Sequence, residues 1–495
     1  MADTSAAPQQ LLTVADFAGK IFIDGAWVPG AGGTLPSTAP ATGEVLAEIG
    51  IASPDDVHRA AVSASHAQRE WAALPHPQRA AVLRRAGALW EQHAEEISGW
   101  NIREVGAIPP LAGFALHVSA AECYEAASLP SAPLGAMLSS EEPRLSLAEQ
   151  VPVGVVGVIS PFNVPLILGI RAVAPALALG NAVLLKPDPR TTITGGVAMV
   201  RIFEEAGLPK GLLQLVPGGA EVGEALVTEP LVRVIAFTGS TRAGRSVGEL
   251  AGKHLKRAHL ELGGNSAFIV REDADVDQAV NLATWGAFLH QGQICMTVGR
   301  HIVHESRFEE YVAKLAAKAD SMVVGDPAAG QAHLGPLIDE TQRDRVHGLV
   351  EAAIAAGATL AAGGSYDGLF YRPTVLANPP RDTAAYCDEV FGPVASVVSY
   401  ATDDEAVELA SDTEFGLSLG IVSADALGAL ALARRIPTGI VHINDQTVND
   451  EANAPFGGVG ASGTGSRHGG VAANIDAFTE TRWITMRREP GQYPL

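Results

Sequence analysis

Apolar runs alternate with amphipathic stretches along most of the chain, a pattern typical of α/β proteins. Two uninterrupted apolar runs, 153–159 and 182–186, have the composition of strands that are buried on both faces of a sheet. The segment between them predicts a helix over 166–179, so strand, helix and strand follow one another as in a parallel crossover unit. The runs 213–216 and 232–238 extend the series. The first half of the chain therefore predicts a parallel sheet with helices packed on it.

A second α/β block, at 262–460, begins with a predicted strand at 266–270. Segments 143–152 and 478–487 stand apart from both blocks, because their apolar and polar residues alternate as in exposed strands. We expect these two segments to pair as an arm that reaches another subunit.

The apolar stretch 151–185 contains a single charged residue, Arg171, and is long enough to span a bilayer. It also contains four prolines and two asparagines, which interrupt helices and are costly in lipid. We interpret it as buried strands and helices, and we predict no membrane association.

Composition narrows the class of protein. The formal net charge of -21 repels phosphate backbones, so no nucleic-acid partner is expected. Only three cysteines occur in 495 residues, which is typical of a reducing compartment rather than of a disulfide framework. The N-terminus has no secretory pattern. We therefore predict a cytoplasmic protein in which residues 1–18 form a flexible tail.

A glycine-rich turn follows the predicted strand 232–238 and contains Gly239, Ser240 and Gly244. Such a turn, at the start of a helix, presents backbone N–H groups to an anion. The usual dinucleotide fingerprint, G-x-G-x-x-G, is missing there. An NTPase P-loop needs lysine where Arg245 stands, and a tight turn without a ligand is the other alternative.

Two residues are candidates for catalysis. Cys295 lies in the segment HQGQICM, after a predicted helix end, whereas Cys123 and Cys387 are interpreted as inert. Glu261 lies between two leucines and before a double glycine, and apolar surroundings raise the pKa of a carboxylate towards the range of a general base. A salt-bridged or capping carboxylate is the alternative. The spacing alone does not show that Glu261 meets Cys295.

Seven motifs, in family order, resemble those of the aldehyde dehydrogenase superfamily. They are PFNVP (161–165), KPDP (186–189), FTGSTRAGR (237–245), LELGGN (260–265), GQIC (292–295), EVFGP (389–393) and PFGGVGASG (455–463). The flanking text WGAFLHQGQICM and VHINDQ looks most like the benzaldehyde and vanillin dehydrogenase branch.

The resemblance implies a fold and a division of the chain. The fold would be α/β, with a Rossmann-like dinucleotide-binding domain at 19–133 and 153–261 and a catalytic α/β domain at 262–460. A small β oligomerisation arm and C-terminal strand would occupy 134–152 and 461–495. The protein would be a homodimer or a tetramer, and an aldehyde its small-molecule partner.

The resemblance also implies roles at matching positions. Cys295 would be the nucleophile, Glu261 the general base and Asn163 an oxyanion donor, with the two catalytic side chains opening onto one tunnel. The residues expected on the dinucleotide are Lys186, Gly239, Ser240, Gly244, Glu389 and Phe391. The residues expected in the substrate pocket are Leu168, Ile294, Met296, Val448 and Phe456. No metal is implied.

Two departures from the family pattern concern cofactor and substrate. Pro189 stands where many NAD-preferring members have a glutamate, so NAD is expected and NADP is possible. Phe162 replaces a common tryptophan. The apolar pocket candidates favour an aromatic aldehyde such as benzaldehyde or vanillin. A semialdehyde, another aliphatic aldehyde, coenzyme A as acyl acceptor, and a non-catalytic homologue are the alternatives.

Overall fold

Two seven-stranded sheets with helices packed on them make up most of the computed structural model, which describes residues 10–494. In spatial order, the strands of the first sheet are Arg257–Glu261, Val232–Thr238, Val155–Ile159, Ala182–Lys186, Leu213–Leu215, Lys20–Ile23 and Ala26–Pro29. The first five are parallel, and the last two form an antiparallel hairpin that turns at Asp24 and Gly25. This arrangement confirms the predicted parallel sheet.

The second sheet is also mainly parallel. In spatial order its strands are Thr359–Ala362, Thr374–Ala377, Val394–Tyr400, Val298–His304, Ser266–Val270, Ser418–Val422 and Ile440–Ile443. Only the first strand runs antiparallel to its neighbour. Four inner strands are buried at every position, which explains why their sequences are almost entirely apolar: Val155–Ile159, Ala182–Lys186, Ser266–Val270 and Ser418–Val422.

Helices connect the strands of both sheets. Those in the first half of the chain are Val14–Phe17, Pro54–Ala73, His76–Gln92, Ala94–Val105, Pro109–Ala126, Pro165–Ala178, Ala198–Glu205, Ala220–Thr228 and Thr241–Lys253. Those in the second half are Val276–Phe288, Glu305–Ser321, Glu340–Ala355, Ala384–Cys387, Asp403–Ser411, Ala426–Ala433 and Val471–Phe478. Short 3₁₀ turns are at Leu129–Ser131 and Pro189–Thr191, a left-handed turn is at Leu289–Gly292, and a π-helical turn is at Ile193–Val197.

A three-stranded antiparallel sheet forms the arm. Thr479–Met486 pairs along its whole length with Leu145–Pro152, which pairs on its other edge with Gly135–Met137. The predicted pairing of the two alternating segments is therefore correct. Trp483 and Met137 remain largely exposed on this arm, with 64% and 78% of their surface accessible. Small hairpins or two-stranded pairs complete the strands: Thr34–Thr38 with Val45–Gly50, Tyr366–Asp367 with Phe370–Tyr371, and Phe415–Gly416 with Val459–Gly460.

The predicted flexible tail is wrong for its second part. Leu11 and Leu12 are buried, and their backbone N–H groups donate to the carboxylate of Glu96. Two apolar side chains in a polar segment were enough to anchor it. Residues 1–9 of that tail lie outside the described residues. Among residues 10–494, no helix combines the length and the apolar character that crossing a bilayer requires.

Candidate active site

Two cavities meet at Cys295, Asn163 and Leu168, which line both. The first, here called the apolar cavity, has a volume of about 360 Å³. Its wall contains all five residues expected for a substrate pocket: Leu168, Ile294, Met296, Val448 and Phe456. The second, here called the switch-point cavity, has a volume of about 1010 Å³. Cys295 is half-buried between them, and it is the only one of the three cysteines in either wall.

The chain reaches Cys295 through an unusual backbone turn. After the helix Val276–Phe288, three consecutive residues, His290, Gln291 and Gly292, have positive φ angles of 53°, 57° and 66°. Left-handed residues other than glycine cost about 1–2 kcal/mol each, so other contacts must hold the turn. A side chain at Gly292 would also collide with the carbonyl oxygen of Gly392.

Side-chain hydrogen bonds supply those contacts. Gln291 Nε2 donates to the carbonyl of Pro336 at 2.8 Å, and its Oε1 accepts from the N–H of Gly335 at 2.9 Å. Gln293 Oε1 accepts from the N–H of Ile338 at 3.1 Å. The two glutamines of the HQGQ segment thus fix the loop that presents the cysteine.

Asn163 is tied to the same loop by two hydrogen bonds. Its side-chain Nδ2 donates to the carbonyl of Gln293 at 2.8 Å, and its own carbonyl lies 2.8 Å from Nε2 of His290. Burial lowers the pKa of His290 to about 4, so the ring is neutral and its Nε2–H donates to Asn163. The remaining N–H of the Asn163 amide is free to donate into the cavities beside Cys295.

Glu261 ends the edge strand Arg257–Glu261 and is 2% exposed. Among residues 10–494, no side chain donates a hydrogen bond to either carboxylate oxygen, and a Cβ at Gly457 would lie 2.8 Å from Oε1. Burial raises the pKa of Glu261 to about 8, although Arg171 and Arg467 favour its charged form. The next two residues, Leu262 and Gly263, line the switch-point cavity, but Glu261 is part of neither wall. The expectation that Glu261 opens onto the tunnel is thus not met.

Burial and nearby charges shift the pKa of the Cys295 thiol in opposite directions. Burial, followed by the negative charge of Glu389, raises the pKa of the thiol to about 12, whereas Arg171 stabilises the thiolate. The resting thiol therefore carries its proton, and a reaction at this sulfur needs a base or a change of surroundings.

The switch-point cavity lies where the first sheet changes direction. From Val155–Ile159 the chain adds strands on one side, Ala182–Lys186 and Leu213–Leu215, and then returns to the other side with Val232–Thr238. The carboxyl ends of strands on either side of such a point form the usual binding crevice of open α/β sheets. Gly239 and Ser240 line this crevice.

The crevice has the donors that a dinucleotide needs. Ser240 caps the helix Thr241–Lys253, so the N-terminal N–H groups of a 13-residue helix face the cavity. Lys186 is buried in the wall, and burial lowers its pKa. Glu389 accepts the N–H of Gly264 at 3.0 Å, and Phe391 packs edge-on against Phe162 at 5.9 Å between ring centres. These residues fit a dinucleotide with two phosphates, a ribose and a flat ring.

Gly244 was expected to contact the dinucleotide, and its position in the structure differs from that expectation. It does not line the switch-point cavity, and a Cβ there would collide with the side chain of Leu262. The glycine lets the helix Thr241–Lys253 approach the segment after the strand Arg257–Glu261, so its role is packing.

Sequence reasoning missed Asp450, which lies 279 positions from its ion-pair partner Arg171. The isolation of Arg171 in a long apolar stretch was the one available signal, because a lone buried charge needs a partner. His290 was also missed as the group that holds Asn163.

Comparison with known proteins agrees with this geometry. The model of the "Aldehyde dehydrogenase family" matches residues 27–484. The chain belongs to the aldehyde dehydrogenase family. A vanillin dehydrogenase of Amycolatopsis sp. is 63% identical over 476 residues, which are 96% of this chain and 98% of the relative. A benzaldehyde dehydrogenase [NAD(+)] of Pseudomonas putida is 47% identical and covers the same shares.

The crystal structure of a salicylaldehyde dehydrogenase from Pseudomonas putida G7, complexed with salicylaldehyde, superimposes with a TM-score of 0.93 at 36% identity. The match covers 96% of this chain and 99% of that one. The resemblance inferred from the seven motifs is therefore confirmed, as is the fold class. The protein is an aldehyde dehydrogenase, an oxidoreductase that acts on an aldehyde with a nicotinamide cofactor.

Proposed function

We propose that this aldehyde dehydrogenase oxidises aromatic aldehydes to carboxylic acids, with Cys295 as nucleophile and with NAD or NADP as cofactor. The observation that carries the proposal is the position of Cys295 and Asn163 at the junction of an apolar cavity and a switch-point cavity. A flat, apolar ring suits the first cavity, because its wall is mainly aliphatic and aromatic. The relatives named for vanillin, benzaldehyde and salicylaldehyde support the aromatic class.

The reaction starts when Cys295 releases its thiol proton to water and the resulting thiolate adds to the carbonyl carbon, which forms a thiohemiacetal. The negative oxygen is held by the free amide N–H of Asn163 and by the N–H of Cys295, which stabilise it more than they stabilise the planar carbonyl. The bound nicotinamide supplies the acceptor for the hydride that leaves the carbon. Cys295 then carries a thioester, which water hydrolyses to the acid and the free thiol.

Glu261 takes the proton of that water. Its buried carboxylate has a pKa of about 8, which suits a base that must pick up and release protons near neutral pH. Because no side chain among residues 10–494 hydrogen-bonds to it, it can rotate past Gly263 into the cavity without breaking an ion pair. We propose this rotation as the step that brings base and thioester together.

Replacing Asn163 with alanine removes one oxyanion donor and is expected to lower kcat by about 10²–10³-fold. The lost hydrogen bond stabilises the transition state more than the bound aldehyde, so KM for the aldehyde should change much less than kcat. Steady-state kinetics with benzaldehyde measure both. An unchanged kcat would exclude Asn163 as an oxyanion donor.

Cofactor use is proposed to be dual, with NAD used and NADP also accepted. Pro189 lines a cavity of about 910 Å³ beside Lys186, where it offers no carboxylate to repel a 2′-phosphate. The adjacent Asp188 is paired with Arg190, whose Nε donates at 2.9 Å, so its charge is offset. Arg190 in turn lies over the Phe162 ring at 4.3 Å and pairs with Asp339.

Introducing a carboxylate at this position tests the cofactor proposal. Pro189→Glu is expected to lower kcat/KM for NADP by about tenfold or more, since like charges in close contact cost one to several kcal/mol. The value for NAD should stay close to that of the wild type. Pro189→Ala is the matched control, because it removes the ring without adding charge. Equal losses for both cofactors in Pro189→Glu would contradict the proposal.

The assembly is proposed to be a homodimer or a tetramer, built through the arm. An exposed strand edge at Thr479–Met486 and the apolar side chains of Met137 and Trp483 support this proposal. Light scattering of the purified protein measures the subunit number, and a monomer at micromolar concentration would contradict the proposed assembly.

We also propose a division of the chain into a dinucleotide domain (19–133 and 153–261), a catalytic domain (262–460) and an arm (134–152 and 461–495). We further propose a cytoplasmic location, which the free cysteines support.

A panel of aldehydes, each assayed with NAD and with NADP, tests the function. Benzaldehyde and vanillin should be oxidised with a higher kcat/KM than succinic semialdehyde or short aliphatic aldehydes. Turnover that depends strictly on coenzyme A, or a preference for the aliphatic set, would overturn the aromatic assignment.

A further inference from the structure

His290 is a buried histidine in the turn that leads to Cys295, and it lines neither cavity. Its φ angle of 53° belongs to the left-handed region, which a histidine adopts only where other contacts compensate for the strain. The two glutamines of the same segment bond to backbone groups of residues that also line neither cavity. His290 differs from them, since the one side-chain hydrogen bond that it makes among residues 10–494 is to Asn163, a proposed oxyanion donor.

Two hydrogen bonds of equal length hold Asn163, one at its backbone and one at its side chain. Its carbonyl oxygen accepts from Nε2 of His290 at 2.8 Å, and its Nδ2 donates to the carbonyl of Gln293 at 2.8 Å. His290 and Gln293 belong to one turn, because the N–H of Gln293 donates to the carbonyl of His290 at 3.0 Å. Asn163 is thus fixed at two points to the turn that ends two residues before Cys295.

These two bonds determine the direction of the second N–H of the Asn163 amide. The amide group is planar, so once one N–H is bonded to Gln293, the direction of the other is set by the position of the asparagine backbone. The other proposed oxyanion donor, the backbone N–H of Cys295, belongs to the same loop as the turn. His290 therefore acts on the spacing of the two donors, and a displacement of about 1 Å in such a site can lower a rate by about 100-fold.

The ring of His290 has one hydrogen, and the hydrogen-bond partner shows where it lies. Burial lowers the pKa of His290 to about 4, so the ring is neutral near pH 7. A neutral imidazole carries hydrogen on one nitrogen only, and a carbonyl oxygen can only accept. Nε2 therefore carries the hydrogen and donates it to Asn163, while Nδ1 has no partner among residues 10–494.

We infer that His290 is a positioning residue for the reaction, which holds the backbone of Asn163 so that the two oxyanion donors keep the spacing that the thiohemiacetal requires. The inference rests on the proposed function, in which Asn163 and the N–H of Cys295 hold the oxyanion. It adds a residue that acts only through Asn163 and does not touch the aldehyde. Loss of His290 should therefore lower kcat and leave KM nearly unchanged, since the oxyanion forms only after the aldehyde has bound.

Two variants separate the hydrogen bond of His290 from its volume. His290→Leu removes the donor and is expected to lower kcat for benzaldehyde by about 10–100-fold, with a change in KM below about threefold. His290→Gln places an amide N–H near the position of Nε2 and should keep kcat within about threefold of the wild type. Steady-state kinetics measure both constants. A wild-type kcat in His290→Leu would overturn the inference.

His301→Leu is the matched control. His301 is also fully buried, burial lowers its pKa to about 3, and it too has one bonded and one unpaired ring nitrogen among residues 10–494. Its partner is the hydroxyl of Tyr311, at 2.8 Å from Nδ1, and neither residue lines either cavity. His301→Leu should lower the melting temperature and leave kcat of the folded enzyme unchanged. An equal loss of kcat in His301→Leu and His290→Leu would reduce the role of His290 to folding and overturn the inference.

A double-variant cycle shows whether His290 acts through Asn163. In the Asn163→Ala background the oxyanion donor is already absent, so adding His290→Leu should lower kcat by less than about threefold. Equal losses from His290→Leu in the two backgrounds would mean that the residues act independently, which would overturn the inference.

Two further measurements cover the case in which His290→Leu does not fold. His290→Asn keeps a polar side chain that is too short to reach the carbonyl of Asn163, and it should show the same loss of kcat. Neutron diffraction from crystals of the wild-type enzyme locates the ring hydrogen directly. A hydrogen on Nε2 is expected, and a hydrogen on Nδ1 alone would overturn the inference. A wild-type enzyme that oxidises no aromatic aldehyde, or an Asn163→Ala variant with wild-type kcat, would instead overturn the proposed function and with it the inference.

Discussion

Cys295→Ala is expected to lower aldehyde oxidation by at least about 10⁴-fold, because no other nucleophile can replace the sulfur at the junction of the two cavities. The dissociation constant for NAD should remain close to the wild-type value, since the residues that line the switch-point cavity are unchanged. Stopped-flow absorbance of the reduced cofactor measures the first quantity, and fluorescence titration measures the second.

Cys387→Ser is the matched control for that loss. Cys387 is exposed, its Sγ lies 2.6 Å from the carbonyl of Arg381, and neither cavity includes it. This variant should retain wild-type kcat. Residual turnover above about 1% in Cys295→Ala would mean that another residue is the nucleophile, because removal of the nucleophile normally lowers kcat by several orders of magnitude. A failure to bind NAD in Cys295→Ala would show that the substitution damages the fold, and its activity loss would then say nothing about chemistry.

Local sequence pattern was sufficient for the parallel sheet of the first half. The runs at 153–159 and 182–186 are buried on both faces, so nearly every position is apolar and the strands stand out. One feature that the sequence does not reveal is the break at His93 between the helices His76–Gln92 and Ala94–Val105. No proline or glycine marks that break, and the apolar pattern continues through it.

Contacts between distant parts of the chain could not be read from one sequence. Asp450 pairs with Arg171 across 279 positions, and His290 holds Asn163 across 127. The family motifs predicted that Cys295 and Asn163 act on the same atom, and both residues line the apolar cavity. They did not predict that Glu261 would be absent from both cavity walls, since a side-chain rotamer leaves no trace in a motif.

The second prediction with a large expected effect concerns Glu261 and the hydrolysis of the thioester. Glu261→Gln keeps the shape of the side chain but removes the base, so the thioester on Cys295 should form and then persist. The expected result is a burst of about one reduced cofactor per active site, followed by a steady state about 10²–10⁴-fold slower than that of the wild type. Rapid-mixing absorbance resolves the two phases. A wild-type steady state would remove Glu261 from the mechanism, and loss of the burst would instead make it the base that deprotonates Cys295.

The pH profile gives an independent readout. The pKa of Glu261 is raised to about 8 by burial, so the carboxylate that accepts a proton from water is formed only as the pH rises through that value. The wild-type steady-state rate should therefore increase with pH and level off above about 8, whereas Glu261→Gln should lose this dependence.

Glu104→Gln is the control for the burst and for the pH profile. Glu104 is as buried as Glu261, but it accepts hydrogen bonds from Ser37 and Thr194 and lines neither cavity. It should lower the melting temperature and leave both the burst and the pH profile as in the wild type. If Glu104→Gln also produced a burst, the phenotype of Glu261→Gln would reflect the loss of any buried carboxylate and would no longer identify the base.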